Sequence, residues 1–373
     1  MSVDFPTREV REGRAELVVP DVPVLGGPGR RSSLPFYNPH MRVNRDLTVL
    51  LWSATLPRGA KVLDGLAATG VLGIRGALES GLELAVTWND KNPNARDLIL
   101  ENAARNDVAG EVLQEDLRVV LAKRRWDCVD IDPFGTPVPF VDAAIQQAWK
   151  GAVIGITATD TAPLAGTYPG VCLRRYGARS LPNPCTAETA LRIFLGYLAR
   201  IAASHDRGVH PLLAFAAEHF VKAIVAVDAR PSSAEASLAH LGYVRFEGAR
   251  FTASTSPPNS PHAGPLWLGP LSDSAAIASM AEGADTSFEA ARLRRLLLDE
   301  AGLPPFFYEN HSLAQTLGLD PVPVASWVDA LRLEGFRAAR PHVTANAVKT
   351  DAPWEVVDQV YRRLQVRQRV SNG

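Results

Sequence analysis

Between residues 61 and 156 the chain alternates short apolar runs with Gly- or Asn/Asp-containing turns and helical stretches. The runs 61–66, 82–88, 110–114, 126–131 and 151–158 read as strands. The stretches ending near Ser80, and those over 94–105, 117–125 and 138–149, read as helices, with Pro93 at a first helical position. Strands separated by helices of this length return to the same end of a sheet. The alternation therefore predicts a doubly wound, mostly parallel α/β sheet. Two further apolar runs, 210–217 and 221–228, read as its closing strands.

Beyond Arg230 the texture changes, and a domain boundary is expected there, dividing 1–229 from 230–373. Residues 252–265 are Ser-, Thr- and Pro-rich and read as loop. Helices resume near Asp285. Residues 324–334 are amphipathic and stop at Gly335, followed by two short strands (336–342 and 346–349) and a last helix over 353–368. That order suggests a smaller α+β, winged-helix-like domain.

Several classes are excluded early. The most apolar long stretch, 210–227, is interrupted by Glu218, His219 and Lys222, so no bilayer span is expected. The first sixteen residues mix acids and bases without an apolar core, so a signal peptide is not expected either. Cys128, Cys172 and Cys185 lack C-x-x-C spacing, which argues against a disulfide framework or zinc site and for a cytoplasmic protein.

In a doubly wound sheet, ligands bind beyond the carboxyl ends of the strands. Asp64 ends the first strand and is followed by a turn in which Gly70 and Gly73 could admit a ligand's close approach. The G-x-G-x-x-G phosphate fingerprint is absent. Asp90, ending the second strand, stands where an acid grips ribose hydroxyls, and Asp116, ending the third, can accept from an adenine amine. Each alone could simply cap a helix. Together they describe an adenosine pocket without a phosphate site, which suits S-adenosyl-L-methionine better than NAD or ATP.

Asp132-Pro133-Phe134-Gly135 ends the fourth strand. An exocyclic amine on a nucleobase is a poor nucleophile because its lone pair is conjugated with the ring. A carboxylate and a carbonyl accepting its two N–H bonds free that lone pair, the carboxylate can take the proton, and the aromatic ring can stack on the base. Asp160 ends the fifth strand, and Arg174, Arg175, Tyr176 and Arg179 follow, a pairing of cations with an aromatic face that suits RNA or a solvated helix.

Six motifs in order resemble the tRNA guanine-26 N2-dimethyltransferase family: Asn38-Pro39 with Asn44-Arg45-Asp46-Leu47-Thr48; Leu63-Asp64 with Ala68-Thr69-Gly70; Asp130-Ile131-Asp132-Pro133-Phe134-Gly135; Thr157-Ala158-Thr159-Asp160-Thr161; Gly264-Pro265-Leu266-Trp267; and Lys349-Thr350-Asp351-Ala352-Pro353. The resemblance implies a class I methyltransferase fold and transfer of two methyl groups from S-adenosyl-L-methionine to a guanine amine of tRNA. It implies that Asp132 is the amine-binding acid, with Pro133 beside it and Phe134 stacking. It also implies that Asp64, Gly70, Asp90, Asp116 and Leu117 contribute to the cofactor site, and that Arg45 and Arg75 face the cofactor's methionine or its loop. Leu72 stands where the family often carries a second arginine, and no cysteine follows Cys185 to form the zinc pair some members have. Another exocyclic-amine or amide N-methyltransferase, acting on DNA adenine or protein glutamine, and an idle RNA-binding protein of the same fold are the alternatives. No membrane or obligate protein partner is expected.

The formal net charge of −1 argues at first sight against a nucleic-acid partner. Its distribution argues the other way. Segments 61–160 and 231–320 each carry −5, while 1–60, 161–230 and 321–373 carry +2, +4 and +3. Only six cations are Lys, and Arg is the side chain that suits phosphate and stacked bases, although genomic base composition would bias the count the same way. The basic 161–230 segment and the C-terminal one, ending in Arg362, Arg363, Arg367 and Arg369, are expected to face tRNA.

Overall fold

The computed structural model describes residues 4–22 and 33–371, with side chains described as far as residue 366. Arg367 and Arg369, two of the expected tRNA-facing cations, lie outside the described side chains.

The chain opens with an antiparallel hairpin, β1 (Thr7–Glu12) and β2 (Ala15–Pro20), then a 3-10 turn and helix α1 (Arg42–Thr55). The alternating unit follows: β3 (Lys61–Asp64), α2 (Val71–Glu79), β4 (Ala85–Asn89), α3 (Pro93–Arg105), β5 (Gly110–Leu113), α4 (Leu117–Lys123), β6 (Cys128–Ile131), α5 (Val138–Gln147) and β7 (Val153–Ala158). After α6 (Thr161–Leu164), α7 (Pro169–Tyr176) and α8 (Thr186–Ala203), the chain closes the sheet with β8 (Gly208–Ala217) and β9 (Phe220–Asp228).

The seven strands run in the order β5-β4-β3-β6-β7-β9-β8. The first five in that order are parallel, and β9 is inserted antiparallel between β7 and β8. This is the doubly wound sheet expected of a class I methyltransferase. Strands β6 and β7 are buried along their whole length, as expected of strands covered on both faces. The order reverses at β3, between β4 and β6, so the crevice at the strands' carboxyl ends opens there.

Local chemistry sets the helix starts. Asn92 caps α3 through its carboxamide oxygen, with Pro93 at the first position, and Asp116 caps α4. Gly70 precedes α2 with φ +77°, a left-handed conformation natural to glycine.

Past the sheet come α9 (Pro231–Ala239), β10 (Leu241–Glu247), β11 (Arg250–Ser254), β12 (Ala263–Trp267) and α10 (Ser274–Ser279). The stretch expected as loop, 252–265, is therefore loop only in its middle; its ends pair with β10 in a three-stranded sheet. Composition misleads here because the short strands are partly exposed and tolerate Ser and Thr. Val244, Leu266 and Trp267 join the apolar core under the main sheet, so that core continues past residue 230.

The remainder is α11 (Phe288–Glu300), β13 (Tyr308–Glu309), α12 (Asn310–Leu317), α13 (Val324–Leu333), β14 (Ala338–Ala339), β15 (Ala347–Thr350) and α14 (Trp354–Ser371). The helix–strand–helix–helix–strand–strand order, with sheet order β13-β15-β14, is a winged-helix arrangement. It has its own core around Leu313, Trp327, Leu331, Val348 and Tyr361.

Candidate active site

A cleft of about 520 Å³ opens at the carboxyl ends of β3, β4, β5 and β6. Asp64, Asp90, Asp116, Leu117, Asp132, Pro133 and Phe134 all line it, so residues spread over more than sixty positions meet on one surface. Asp64 is buried and accepts the Gly73 N–H at 3.1 Å. Burial, and next the charge of Asp130, push its carboxyl up to about 7. Asp90 accepts the N–H groups of Ala68 and Asn92 at 3.1 and 2.9 Å, which ties the β3 and β4 loops together. Asp116 lines the cleft while both its oxygens hold Arg118.

Two glycines of the first turn serve packing. Gly70 lies behind the cleft wall, and its carbonyl accepts from the Trp88 indole at 3.1 Å. A Cβ on Gly73 would stand 2.3 Å from that indole nitrogen, so the close approach expected there is to Trp88 of the sheet. Thr69, between them and the cleft, is 1% exposed, and its hydroxyl has no hydrogen-bond partner among the described residues.

The loop after β6 carries the reactive pattern. Pro133 is buried and has no N–H to compete for a neighbouring acceptor, while Phe134 remains 39% exposed. Gly135, at φ +86°, turns the loop back, and its N–H donates to Thr159 at 2.7 Å. Burial pushes the Asp132 carboxyl up to about 6. Lys222, Arg45 and a hydrogen bond with Thr157 pull it down, and Asp130 opposes them. A half-buried carboxylate poised near neutrality is suited to accept a proton. Phe36, which the sequence reading missed, meets Phe134 edge-on at a centroid distance of 5.3 Å and also lines the cleft. A lone Phe in a loop a hundred residues upstream carries no sequence signal for this.

The two arginines expected at the cofactor fare differently. Arg75 does not reach the cleft. It is 1% exposed, and its guanidinium is shared among Glu12, Asp46 and Glu79 at 2.6–2.9 Å. The expectation that it faces the cofactor is thereby corrected: α2 turns this side chain toward the hairpin and α1. Arg45 borders the cleft, but its Nε and Nη2 hold Glu12 at 2.6 and 2.5 Å and Nη2 also donates to the Asn38 carbonyl. Burial raises the Glu12 carboxyl, yet Arg45 and Arg75, with a Tyr37 hydrogen bond, bring it down to about 2. Glu12 was not foreseen; its partners lie in other elements.

Asp160 lines a shallower groove with Tyr168 and Arg175, joined to the cleft through Thr159 and His219. It accepts from Arg175 at 2.9 Å and from the Tyr176 hydroxyl at 2.5 Å. Tyr176 is fully buried, edge-on to Phe194 and Tyr197, and cannot stack on a base as expected. The aromatic face exposed there is Tyr168, at 57%. Arg174 and Arg179 are exposed and make no ion pair among the described residues.

The cleft thus offers carboxylate acceptors, a buried unpartnered hydroxyl and apolar shelves such as Leu117, which fits an adenosine-bearing cationic ligand. Among the described residues no group of three His, Cys, Asp or Glu side chains could hold a metal ion, and no helix is long and apolar enough to cross a membrane.

Comparison with known proteins gives three results. A family model described as N2,N2-dimethylguanosine tRNA methyltransferase matches residues 13–362. Proteins of Methanospirillum hungatei and Pyrococcus furiosus, both named tRNA (guanine(26)-N(2))-dimethyltransferase, are 37% and 36% identical to it; the alignments cover 93% and 95% of this chain and 97% and 98% of theirs. Among solved structures, Trm1 from Pyrococcus horikoshii in complex with S-adenosyl-L-methionine superposes with a TM-score of 0.86 at 32% identity, over 95% of this chain and 99% of that one.

Proposed function

The chain belongs to the N2,N2-dimethylguanosine tRNA methyltransferase family, and from that premise we propose which of its residues carry the reaction. The enzyme transfers two methyl groups from S-adenosyl-L-methionine to the exocyclic N2 of guanine 26 in tRNA. The observation that carries our assignment is the Asp132 carboxyl on the cleft wall beside Pro133 and the half-exposed Phe134, with three strand-end carboxylates lining the same cleft.

When bound, S-adenosyl-L-methionine supplies an electrophilic methyl group on a sulfonium. Asp64, Thr69, Asp90, Asp116 and Leu117 would hold it, with Arg45 at the border and Gly70 shaping the turn behind. Asp132 accepts one N2–H bond of the guanine and the Pro133 carbonyl the other, which frees the nitrogen lone pair. Transfer would break the methyl–sulfur bond as the N–C bond forms, leaving a neutral thioether to depart, and the Asp132 carboxylate would take the N2 proton. The second transfer would need a fresh methyl donor and an Asp132 that has released the first proton to solvent; it uses the remaining N2–H, so the site must admit a methylamino group. The base reaches it by leaving its stack, and Phe134 with Phe36 offers the replacement stacking surface. Asp160, Arg174, Arg175 and Arg179 border the site on the tRNA side, while Tyr176 fixes Asp160 from within. Residues 230–373 form the tRNA-binding part, and the enzyme works in the cytoplasm.

Asp132→Ala is expected to abolish methyl transfer to undermodified tRNA, while cofactor affinity by titration stays within a few-fold of wild type. Near-normal transfer would remove Asp132 from this role. Nucleoside analysis of a completed reaction should give dimethylguanosine; accumulation of the monomethyl product alone would contradict the second step.

A further inference from the structure

Lys222, the third residue of β9, is fully buried. An ammonium in such a place persists only with compensating partners. Strand β7 lies between β9 and β6, and its register sets Gly155 beside Asp130 and Thr157 beside Lys222. The lysine Nζ donates to Asp130 Oδ2 at 2.6 Å and to Thr157 Oγ1 at 3.2 Å. Gly155 leaves room for this crossing, because a Cβ there would stand 2.4 Å from Asp130 Oδ2 and 3.4 Å from the lysine Nζ.

The register that pairs Asp130 with Gly155 and Ile131 with Ile156 runs on to bring Asp132 alongside Thr157, on the same face as Asp130 and Lys222. An ammonium has only donors, so Thr157 must accept from Lys222, and its single proton is then free to point at Asp132. A path of donation from Lys222 through Thr157 toward Asp132 is thereby open. We infer that Lys222 is a positioning residue for methyl transfer, acting through Thr157 and beside Asp130 to keep the Asp132 carboxyl ionised and oriented as proton acceptor. The inference rests on the assignment of Asp132 made above.

The charges around Asp132 show why a cation is needed. Asp130, two residues earlier near the end of β6, and Asp64, from β3, repel its ionised form. Asp90, after β4, adds to the repulsion felt by Asp64. From α1, Arg45 attracts it, and the Asn44 carboxamide lies at 3.5 Å. His219, in the β8–β9 turn, lines the same cleft. Burial dominates and raises the carboxyl; among the opposing influences, that of Lys222 is the largest.

The test is the pH dependence of kcat in the full chain with tRNA and S-adenosyl-L-methionine. It is paired with titration of the Asp132 carboxyl carbon by 13C NMR in aspartate-labelled, cofactor-free protein, the signal being identified by its loss in Asp132→Asn. Lys222→Met is expected to move the acidic limb and the carbon titration upward by about one pH unit, lowering kcat at pH 5.5 about tenfold. At pH 9 kcat should approach wild type, and KM for tRNA should stay within about threefold at both pH values. If the single variant fails to fold, Lys222→Met with Asp130→Asn leaves no unpaired charge and should move both readouts in the same direction by less. Readouts unmoved in whichever variant folds overturn the inference. If Asp132→Ala is inactive while Lys222→Met leaves the limb in place, only the role of Lys222 falls; if Asp132→Ala stays active, the assignment of Asp132 falls first.

Discussion

Asp132 and its neighbours show how one short motif can assemble the groups of the proposed reaction centre. The Asp-Pro-Phe order places acceptor, N–H-free residue and ring together by covalent connection alone, so this part of the site is legible in the sequence. The second ring, Phe36, arrives from a distant loop and is not. Stacking of a base on an aromatic side chain contributes about 1–3 kcal/mol. Phe134→Ala should therefore weaken tRNA binding about tenfold or more, and Phe36→Ala should act in the same direction, measured as Kd at fixed salt. Unchanged affinity in both would show that the target base stacks elsewhere. The same limit explains the arginines. Arg75 follows the Gly70 turn by little more than one helical turn, but which face of α2 it occupies, and which carboxylates meet it there, is decided by packing.

At the scale of elements, two buried ionic networks hold the added parts to the sheet. In the first, Glu12 at the end of β1 joins Arg45 of α1 to Arg75 of α2. Removing its carboxylate leaves the buried Arg45 guanidinium without its ion-pair partner and takes from Arg75 one of three. Glu12→Ala is therefore expected to cost about 3–5 kcal/mol in chemical denaturation. Because its folded pKa, about 2, lies below the ordinary 4.5, its contribution is complete above about pH 4.5 and is lost as the pH falls toward 2. A stability profile flat across that window would count against the network. In the second, Lys349 of β15 lies 2.9 Å from Glu188 of α8 and 3.3 Å from Glu300 of α11, while Arg192 also holds Glu188 and His342 holds Glu300. Lys349→Met should destabilise the protein by a similar amount, because two buried carboxylates lose their shared partner. Lys349 begins one of the six family motifs; its place in the fold gives that motif a docking role the sequence alone did not disclose.

For the molecule as a whole, a net charge of −1 conceals two acidic and three basic segments. The acidic 61–160 segment lines the cleft with carboxylates, while Arg174 and Arg179 stand exposed beside it without ion pairs among the described residues. Arg362 and Arg363 of α14 are exposed but paired with Asp358 and Glu334. Binding to undermodified tRNA should weaken steeply with salt, log K falling by roughly 0.7–0.9 per log unit of salt for each phosphate neutralised. Reversing Arg174 and Arg179 to Glu together should flatten that slope. A slope unchanged from wild type would place the tRNA on another face. The sequence by itself determined the parallel sheet, its strand-end carboxylates and the Asp132 loop. Periodicity and turn chemistry act over a few residues, and the strand ends of such a sheet necessarily meet. Only the tertiary structure decided which charges face the cleft and which are consumed inside. Pairing in a low-dielectric interior depends on distances of a few ångströms between residues far apart in the chain, as with Arg75 and Glu12 or Lys222 and Asp130.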